Sequence, residues 1–412
     1  MSEEASTDAG AMSAPWLTLI GLGEDGWDGL SQVARATLRD ATRVYGGARH
    51  AKLLVVNGID VTPWPSPFHE GLETLLSARG TPTVVLASGD PMWFGVGATL
   101  ARRLSPSEMI ILPGQSSLSL AASRLGWPLQ DVEIVSLHGR AIDSLRAHLC
   151  PGARLLCLTS NGAAVDAIAD LLADEGYGAS RLTVLEHLGG PRERIVTGTA
   201  ESWDDAVADL NVLAIEARAV RDTPLRARVP GLPDNAFRHD GKITKREVRA
   251  VTLARLAPVP GARLWDIGAG SGAVSIEWLR AARGTSAIAL EPNDERRAVA
   301  LANAAALGTP QLDLRSAAAP EGLDGLEPPD AVFLGGGLTA PGIVDAVYGA
   351  LVSGGRLVAN AVTLESEAVL LAAHARLGGD LTRIAISRAS PVGGLTGWRP
   401  LMPVSQWSLV KP

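Results

Sequence analysis

The sequence predicts an α/β protein made of two separate α/β domains. Short runs of β-branched and apolar residues alternate with Ala-, Leu- and Arg-rich stretches of helical length along the whole chain. The alternation stops at a Pro- and Arg-rich segment, 221–234, and starts afresh beyond it. A length of 412 residues also exceeds what one compact core usually holds.

In the first half, strands are expected at 17–20, 83–87, 109–112, 133–136, 154–158, 182–185 and 211–215. Each runs into Gly, Ser, Asp or Pro, so loops collect at the strand ends. Segment 221–234 holds Pro224, Pro230 and Pro233 without a helical or strand period, and reads as a linker. The expected layout is a disordered tail over 1–15, a domain at 16–218, a linker at 219–234 and a second domain at 235–412. In the second domain a helix at 245–256 precedes a strand at 263–267. Further strands are expected at 286–290, 311–314, 331–334 and 356–360. Segments 382–387 and 404–410 should finish the sheet as an antiparallel pair.

Composition narrows the function. Hydrophobic residues are 46% and charged residues 20%, which fits folded domains. A net charge of −7 argues against a general nucleic-acid binder, which would carry a basic excess. No apolar run approaches the ~20 residues of a membrane helix. The stretch from Ser2 to Gly10 is acidic and polar, the wrong sign for a signal or transit peptide, so a cytoplasmic location is expected. Cys150 and Cys157 form no disulfide framework or C-x-x-C pair and read as two small buried residues. No metal-binding constellation is present.

The strongest chemical signal is Asp266-Ile267-Gly268-Ala269-Gly270-Ser271-Gly272. A strand runs into three alternate glycines, and a helix begins near Ala273. Glycines there let the chain turn sharply and let a ligand approach without meeting a Cβ. The helix start offers free N–H groups to a polar ligand. The next strand ends in Glu291, whose carboxylate can accept from both ribose hydroxyls. By spacing alone this is also a dinucleotide site, since Gly268-x-Gly270-x-x-Ala273 fits that fingerprint. Asp266 tilts the choice, because a carboxylate there would repel a pyrophosphate but suits the cationic methionine part of S-adenosylmethionine. Thr244 reads as the N-cap of the preceding helix, with Glu247 completing a capping box.

In the first half Gly21-Leu22-Gly23 follows the first strand, Ser88-Gly89-Asp90-Pro91 makes a tight turn, and Ser116-Ser117 opens a helix. Singly each is a turn or a cap. In this order they resemble the tetrapyrrole methylase superfamily, a class III methyltransferase fold that binds S-adenosylmethionine between two α/β subdomains. The runs Val135–Arg140 and Leu185–Ile195 are similar to its C5-methylating members of cobalamin biosynthesis. The glycine loop departs from the usual Gly-x-Gly-Pro-Gly, since Glu24 and Asp25 stand where Pro and Gly are expected.

The run from Pro230 to Arg249, followed by Trp265–Gly272, resembles the C15-methylating, decarboxylating proteins of the same pathway, which have a Rossmann-like class I methyltransferase fold. Ala318-Ala319-Pro320-Glu321, Leu334–Gly337 and Asn360–Glu365 fit the loops after the third, fourth and fifth strands of that family. The usual Asp before Ala-Pro-Glu is Ala318 here. The two domains in this order resemble the bifunctional C5,15-methylating, decarboxylating family.

The resemblance implies two S-adenosylmethionine sites per chain and a precorrin tetrapyrrole substrate, methylated at C5 and C15 with loss of the C12 acetate carboxyl group. It implies cofactor contacts at Gly21, Gly23, Ser88, Gly89, Asp90, Ser116 and Ser117 in the first domain. In the second they fall at Thr244, Asp266, Gly268, Ala269, Gly270, Ser271, Gly272, Glu291 and Ala319. His239, Asp240 and Lys245 are candidates for proton delivery. A substrate rich in carboxylates needs Arg and Lys forks, for which Arg140, Arg192, Arg194, Lys242, Arg246, Arg388 and Arg399 are candidates. Relatives of each half assemble as dimers or tetramers, so a homo-oligomer is expected. A nicotinamide-dependent oxidoreductase and a non-catalytic corrinoid carrier are the competing readings.

Overall fold

The computed structural model describes residues 15–412, so all of the expected tail except Pro15 lies outside the described residues. The chain forms two compact units. Of the described residues, one takes in 15–140 together with Pro151–Thr223, and the other Ala141–Cys150 with Pro224–Pro412.

The first unit holds two five-stranded sheets. The first contains β1 (Leu17–Leu22), β2 (Val44–Gly46), β3 (Thr62–Pro63), β4 (Thr83–Ser88) and β5 (Met109–Leu112), in the order β3-β2-β4-β1-β5. Every pair is parallel. Around it stand helices α1 (Gln32–Asp40), α2 (Ala48–Leu54), α3 (Phe68–Ser77) and α4 (Val96–Leu100), while α5 (Ser117–Leu125) follows β5 and packs on the second sheet. Strands β1 and β4 are covered on both faces, which is why they are continuous apolar runs rather than alternating ones. Because β4, β1 and β5 are adjacent and parallel, their C-terminal ends share one edge. That places the Gly21, Ser88 and Ser116 loops side by side.

The second sheet contains β6 (Glu133–Ser136), β7 (Arg154–Leu158), β8 (Arg181–Glu186), β9 (Arg194–Thr199) and β10 (Asn211–Glu216), with helix α6 (Ala163–Asp174) between β7 and β8. Its order is β6-β7-β10-β8-β9, parallel only at β6–β7.

The second unit starts with helix α7 (Arg246–Leu256) and then β11 (Arg263–Ile267), α8 (Ala273–Ala281), β12 (Ser286–Leu290), α9 (Asp294–Ala306) and β13 (Asp313–Arg315). Strand β14 (Ala331–Leu334), α10 (Ile343–Ala350), β15 (Arg356–Ala361), α11 (Leu364–Leu377) and β16 (Asp380–Ile384) follow. A hairpin of β17 (Ser387–Val392) and β18 (Leu395–Pro400) intervenes before β19 (Val404–Val410). The seven-stranded sheet runs β13-β12-β11-β14-β15-β19-β16, with β19 antiparallel to both neighbours. One apolar layer covers each face; Trp278 anchors one, and Trp265 and Trp407 the other.

Most expected strands occur within a residue or two of their positions. The strand expected at 311–314 is Asp313–Arg315, and that at 382–387 is Asp380–Ile384. Strands β2, β3 and β9 and the β17–β18 hairpin were not expected. Cys157 is buried as expected, but Cys150 is exposed.

Candidate functional site

Strand β11 lies between β12 and β14, where the order of the parallel strands reverses. At such a switch point the loops leave in opposite directions and open a crevice at the carboxyl ends. Loop 268–272 emerges there. Gly268, Gly270 and Gly272 have φ of 72°, 57° and 75°, a left-handed region that L side chains enter only with strain. A Cβ on Gly268 would lie 2.7 Å from Gly336 Cα, so the loops after β11 and β14 touch backbone to backbone. A Cβ on Gly270 would meet nothing within 4 Å, so that side is open.

Asp266 is 1% exposed. Its Oδ2 accepts from the Ser275 amide at 3.2 Å and hydroxyl at 2.6 Å, while Oδ1 is buried with no partner. Burial pushes its carboxyl up to about 6; hydrogen bonds from Ser275 oppose the rise and the charge on Glu291 adds to it. A buried lone oxygen of this kind is costly alone, and a cationic ligand group is one partner that could satisfy it. Glu291, 4% exposed, accepts from Gly270 N at 2.9 Å through Oε2 and from Asn293 N at 3.0 Å through Oε1. Each oxygen keeps a lone pair, enough for two hydroxyl donors. These features fit S-adenosylmethionine: a cradle without Cβ atoms, an acceptor for the ammonium or sulfonium end, and an acceptor pair for a ribose. Ser271 contributes its carbonyl, which accepts from Asn303 Nδ2 at 2.9 Å. Ala269 lies over the apolar layer, and its amide donates to Leu290 O at 3.1 Å. Ala319 packs half-buried on the opposite layer.

The run 230–249 is strapped to this site by one buried arginine that the sequence reading missed. Arg249 is fully buried. Its Nε donates to Glu277 Oε1 at 2.7 Å and its Nη1 to Asp234 Oδ1 at 3.3 Å; it also reaches the carbonyls of Thr244 and Leu232. Glu277 in turn accepts from Gly231 N at 2.6 Å and Leu232 N at 3.0 Å. Asn303 ties Arg238 to Ser271 by accepting from the Arg238 amide and donating to both carbonyls. The expected capping box is absent. Helix α7 begins one residue later, with Lys245 as N-cap and no side-chain cap, while Thr244 offers its carbonyl to Arg249. Asp234, twelve residues upstream of Arg246, accepts from the Arg246 amide at 2.8 Å, and Glu247 pairs with Arg388 at 2.6 Å.

Beside the loop, His239 Nδ1 accepts from Gly241 N at 2.9 Å, which leaves the ring proton on Nε2. Asp240 accepts from Lys242 N and pairs with Arg296 at 3.0 Å. The Lys242 amide and Arg296 hold its carboxyl below the usual range, so it is an anion and no acid. Lys245 Nζ donates to Gly241 O at 3.1 Å. Arg388 is committed to Asp234 and Glu247, whereas Lys242, Arg246 and Arg399 are exposed.

In the first unit the three expected loops do meet. A Cβ on Gly21 would lie 1.9 Å from Gly89 O and 2.2 Å from Gly114 N, so three backbones cross where only glycine fits. A Cβ on Gly23 would strike the Asp25 carboxylate at 2.5 Å. Asp90 Oδ1 accepts from Met92 N at 2.8 Å, and Ser116 caps α5 by accepting from Ser119 N at 3.0 Å, with Ser117 as the first helical residue. Ser88 is exposed and engaged by Arg49 and His50, two residues that carried no sequence signal. Of the candidate arginines, Arg194 is bound bidentately to Glu186 at 2.7 and 2.8 Å and is not available to a substrate. Arg140 and Arg192 are exposed.

Among the described residues no His, Cys, Asp or Glu cluster could hold a metal, and no helix is long and apolar enough to cross a membrane. The two glycine-lined loops lie on different sheet architectures, and each falls in a stretch that matches a methyltransferase family, so the chain has two methyltransferase domains. Residues 17–204 match the tetrapyrrole (corrin/porphyrin) methylases, and residues 235–411 match the precorrin methyltransferase domain. Over 411 residues the chain is 51% identical to the precorrin-6Y C(5,15)-methyltransferase [decarboxylating] of a Sinorhizobium species, covering 99% of each. It is 43% identical over 401 residues to the protein of that name from Mycobacterium tuberculosis, covering 96% of this chain and 100% of the relative. A shorter relative, a probable cobalt-precorrin-6B C(15)-methyltransferase (decarboxylating) from Pyrobaculum calidifontis, is 36% identical over 182 residues, 42% of this chain and 93% of its own. The chain belongs to the precorrin-6Y C5,15-methyltransferase (decarboxylating) family. Membership decides between the readings that the glycine loop left open, in favour of methyl transfer over hydride transfer.

Proposed function

We propose that the chain divides its reaction between its two units, each with its own S-adenosylmethionine site. The overall conversion is read as methylation of precorrin-6B at C5 and C15 with decarboxylation to precorrin-8X, in keeping with the C(5,15)-methyltransferase [decarboxylating] name of the full-length relatives. The first unit methylates C5; the second methylates C15 and releases the C12 acetate carboxyl group as carbon dioxide. The observation that carries this is the pair of cradles: Gly21, Gly89 and Gly114 in one unit, and Gly268 to Gly272 beside Asp266 and Glu291 in the other. The half-length C15 relative supports a self-sufficient methylating and decarboxylating unit.

Bound S-adenosylmethionine supplies an electrophilic methyl group on a sulfonium. The protein's task is to hold it in line with an electron-rich macrocycle carbon, and such positioning can account for about 7–11 kcal/mol of a barrier. Asp266 and Glu291 would hold the two ends of the cofactor, and the glycine loop would let it approach the backbone. For decarboxylation the C–C bond to the carboxyl group breaks, its electron pair enters the conjugated macrocycle, and a proton is added. Of the candidate group Asp240 is held as an anion, which leaves His239 and Lys245 as the candidates for proton delivery. Lys242, Arg246 and Arg399 in the second unit and Arg140 and Arg192 in the first are exposed and able to meet substrate carboxylates.

The test uses the full chain with precorrin-6B and isotope-labelled S-adenosylmethionine. The product should gain two methyl groups and lose one carbon dioxide. A Gly21→Val chain should lose only the C5 methyl group, and a Gly268→Val chain should lose the C15 methyl group and the carbon dioxide together. Loss of both methyl groups on altering either loop would argue for one shared site.

A further inference from the structure

Glu24 occupies a place where tetrapyrrole methylases resembling this domain carry proline, and its carboxylate joins the two halves of the first unit. Its side chain is only 9% exposed at the end of β1. One oxygen pairs with Arg49 Nη1 on α2, and the other accepts from His187 Nδ1 at 3.1 Å in the loop between β8 and β9. Arg192 of that loop stands 3.9 Å away. The loop is pressed against this point, since a Cβ on Gly190 would lie 2.6 Å from Glu24 Cβ. His187 holds a φ of 45°, a conformation costly for a non-glycine residue and retained only where its surroundings over-determine it.

From Arg49 the network continues into the cofactor turn. Arg49 Nη2 donates to Ser88 Oγ at 2.6 Å, and His50 Nε2 lies 3.1 Å from the same oxygen. His50 Nδ1 accepts from Gly47 N at 3.2 Å, so its ring proton is on Nε2 and points to Ser88. Ser88 Oγ therefore accepts twice. Its O–H is left as a donor at the exposed end of β4, next to Gly89 and Asp90.

We infer that Glu24 is a positioning residue for C5 methylation: it locks the β8–β9 loop to α2 and, through Arg49, which shares Ser88 with His50, fixes Ser88 as an oriented hydroxyl donor to the cofactor. The inference rests on the reading that S-adenosylmethionine binds this cleft. Burial pushes the Glu24 carboxyl up, but hydrogen bonds from His187 and Arg49 outweigh it and hold it below the usual range. The carboxylate is thus charged throughout the neutral range.

The experiment uses the full chain as Glu24→Gln, Ser88→Ala and the double variant, beside wild type. Glu24→Gln keeps shape and volume, and its thermal unfolding shows whether the fold is retained. Its expected effect is about a hundredfold lower kcat for C5 methylation, the scale of a displaced reactant. S-adenosylhomocysteine should bind more weakly at one of two sites, with C15 methylation and decarboxylation unchanged. Because Glu24 acts through Ser88, the double variant should be scarcely worse than the more impaired single variant. Wild-type C5 kinetics in a folded Glu24→Gln chain would overturn the inference, as would fully additive losses in the double variant. A wild-type chain that binds one S-adenosylhomocysteine rather than two would instead overturn the reading beneath it.

Discussion

Replacing Gly268 with alanine should disable one half of the reaction and spare the other. Gly268 sits at φ 72°, and an added Cβ would be 2.7 Å from Gly336 Cα. The left-handed backbone costs an alanine about 1–2 kcal/mol. The clash is with backbone, which cannot rotate aside as a flexible side chain would, and overpacking of that kind costs about 1–3 kcal/mol. Together, about 2–5 kcal/mol acts on the proposed cofactor loop, as lost stability of the ligand-free protein or, where the loop moves aside to relieve it, as a loss of up to several thousandfold in binding at 1.4 kcal/mol per decade. Gly270 provides the graded control: its φ is 57° but a Cβ there meets nothing within 4 Å, so the ligand-free Gly270→Ala protein should lose only the backbone cost of about 1–2 kcal/mol. The assay is mass spectrometry of the product from precorrin-6B, with thermal unfolding of each ligand-free variant. Gly268→Ala should give material methylated at C5 alone with no carbon dioxide released. C15 methylation at the wild-type rate, or a ligand-free Gly268→Ala protein as stable as Gly270→Ala, would refute the steric reasoning.

Three further outcomes follow from the same contacts. Glu277→Ala leaves Arg249 buried without its main counter-charge and should destabilise the second unit by about 3–5 kcal/mol in denaturant unfolding, a loss that replacing Arg249 with leucine as well should partly restore. Arg194→Ala should lower the melting temperature and leave KM for the precorrin unchanged, because Arg194 holds buried Glu186 rather than substrate. Asp266 should make both stability and binding depend on pH. Its ordinary value is 3.8 and burial raises it to about 6 in the fold, so ionising it works against the ligand-free protein. That cost is absent below 3.8, grows as pH rises, and is complete above about 6, where two units amount to about 3 kcal/mol. A cationic ligand needs the ionised form, so affinity at this site should rise between pH 5 and 7. Calorimetry in buffers of different ionisation enthalpy should find proton release on binding near pH 6, and binding that takes up a proton would contradict the assignment.

The sequence was most legible where chemistry is local. Strands 109–112, 263–267, 286–290 and 331–334 match their observed limits; 109–112 and 331–334 are short apolar runs stopped by Pro113 and Gly335, and 263–267 runs into the glycine loop. The helix start at Ala273 was visible in the glycines before it. Legibility failed where partners are distant. Thr244 and Glu247 fit a capping box by spacing, but Asp234 serves the Arg246 amide from another part of the chain, and Glu247 is drawn off by Arg388. Arg249 looked like one more helical arginine; only its pairing with Glu277, from a helix that follows the glycine loop, makes it structural. Glu24 looked like a defect in a glycine motif, and its partner His187 lies 163 residues away. Strand β9 was missed because it is an exposed edge strand containing Gly198, and the β17–β18 hairpin because it contains Pro391 and buries no complete face.

The central claim is that one chain carries two cofactor sites on unlike folds, and counting bound ligand tests it most directly. Equilibrium titration of the full-length protein with S-adenosylhomocysteine should reach two equivalents per chain. Gly268→Ala should reach one at concentrations that saturate the first unit. One equivalent in the wild-type chain, or two at unchanged affinity in the variant, would contradict the account.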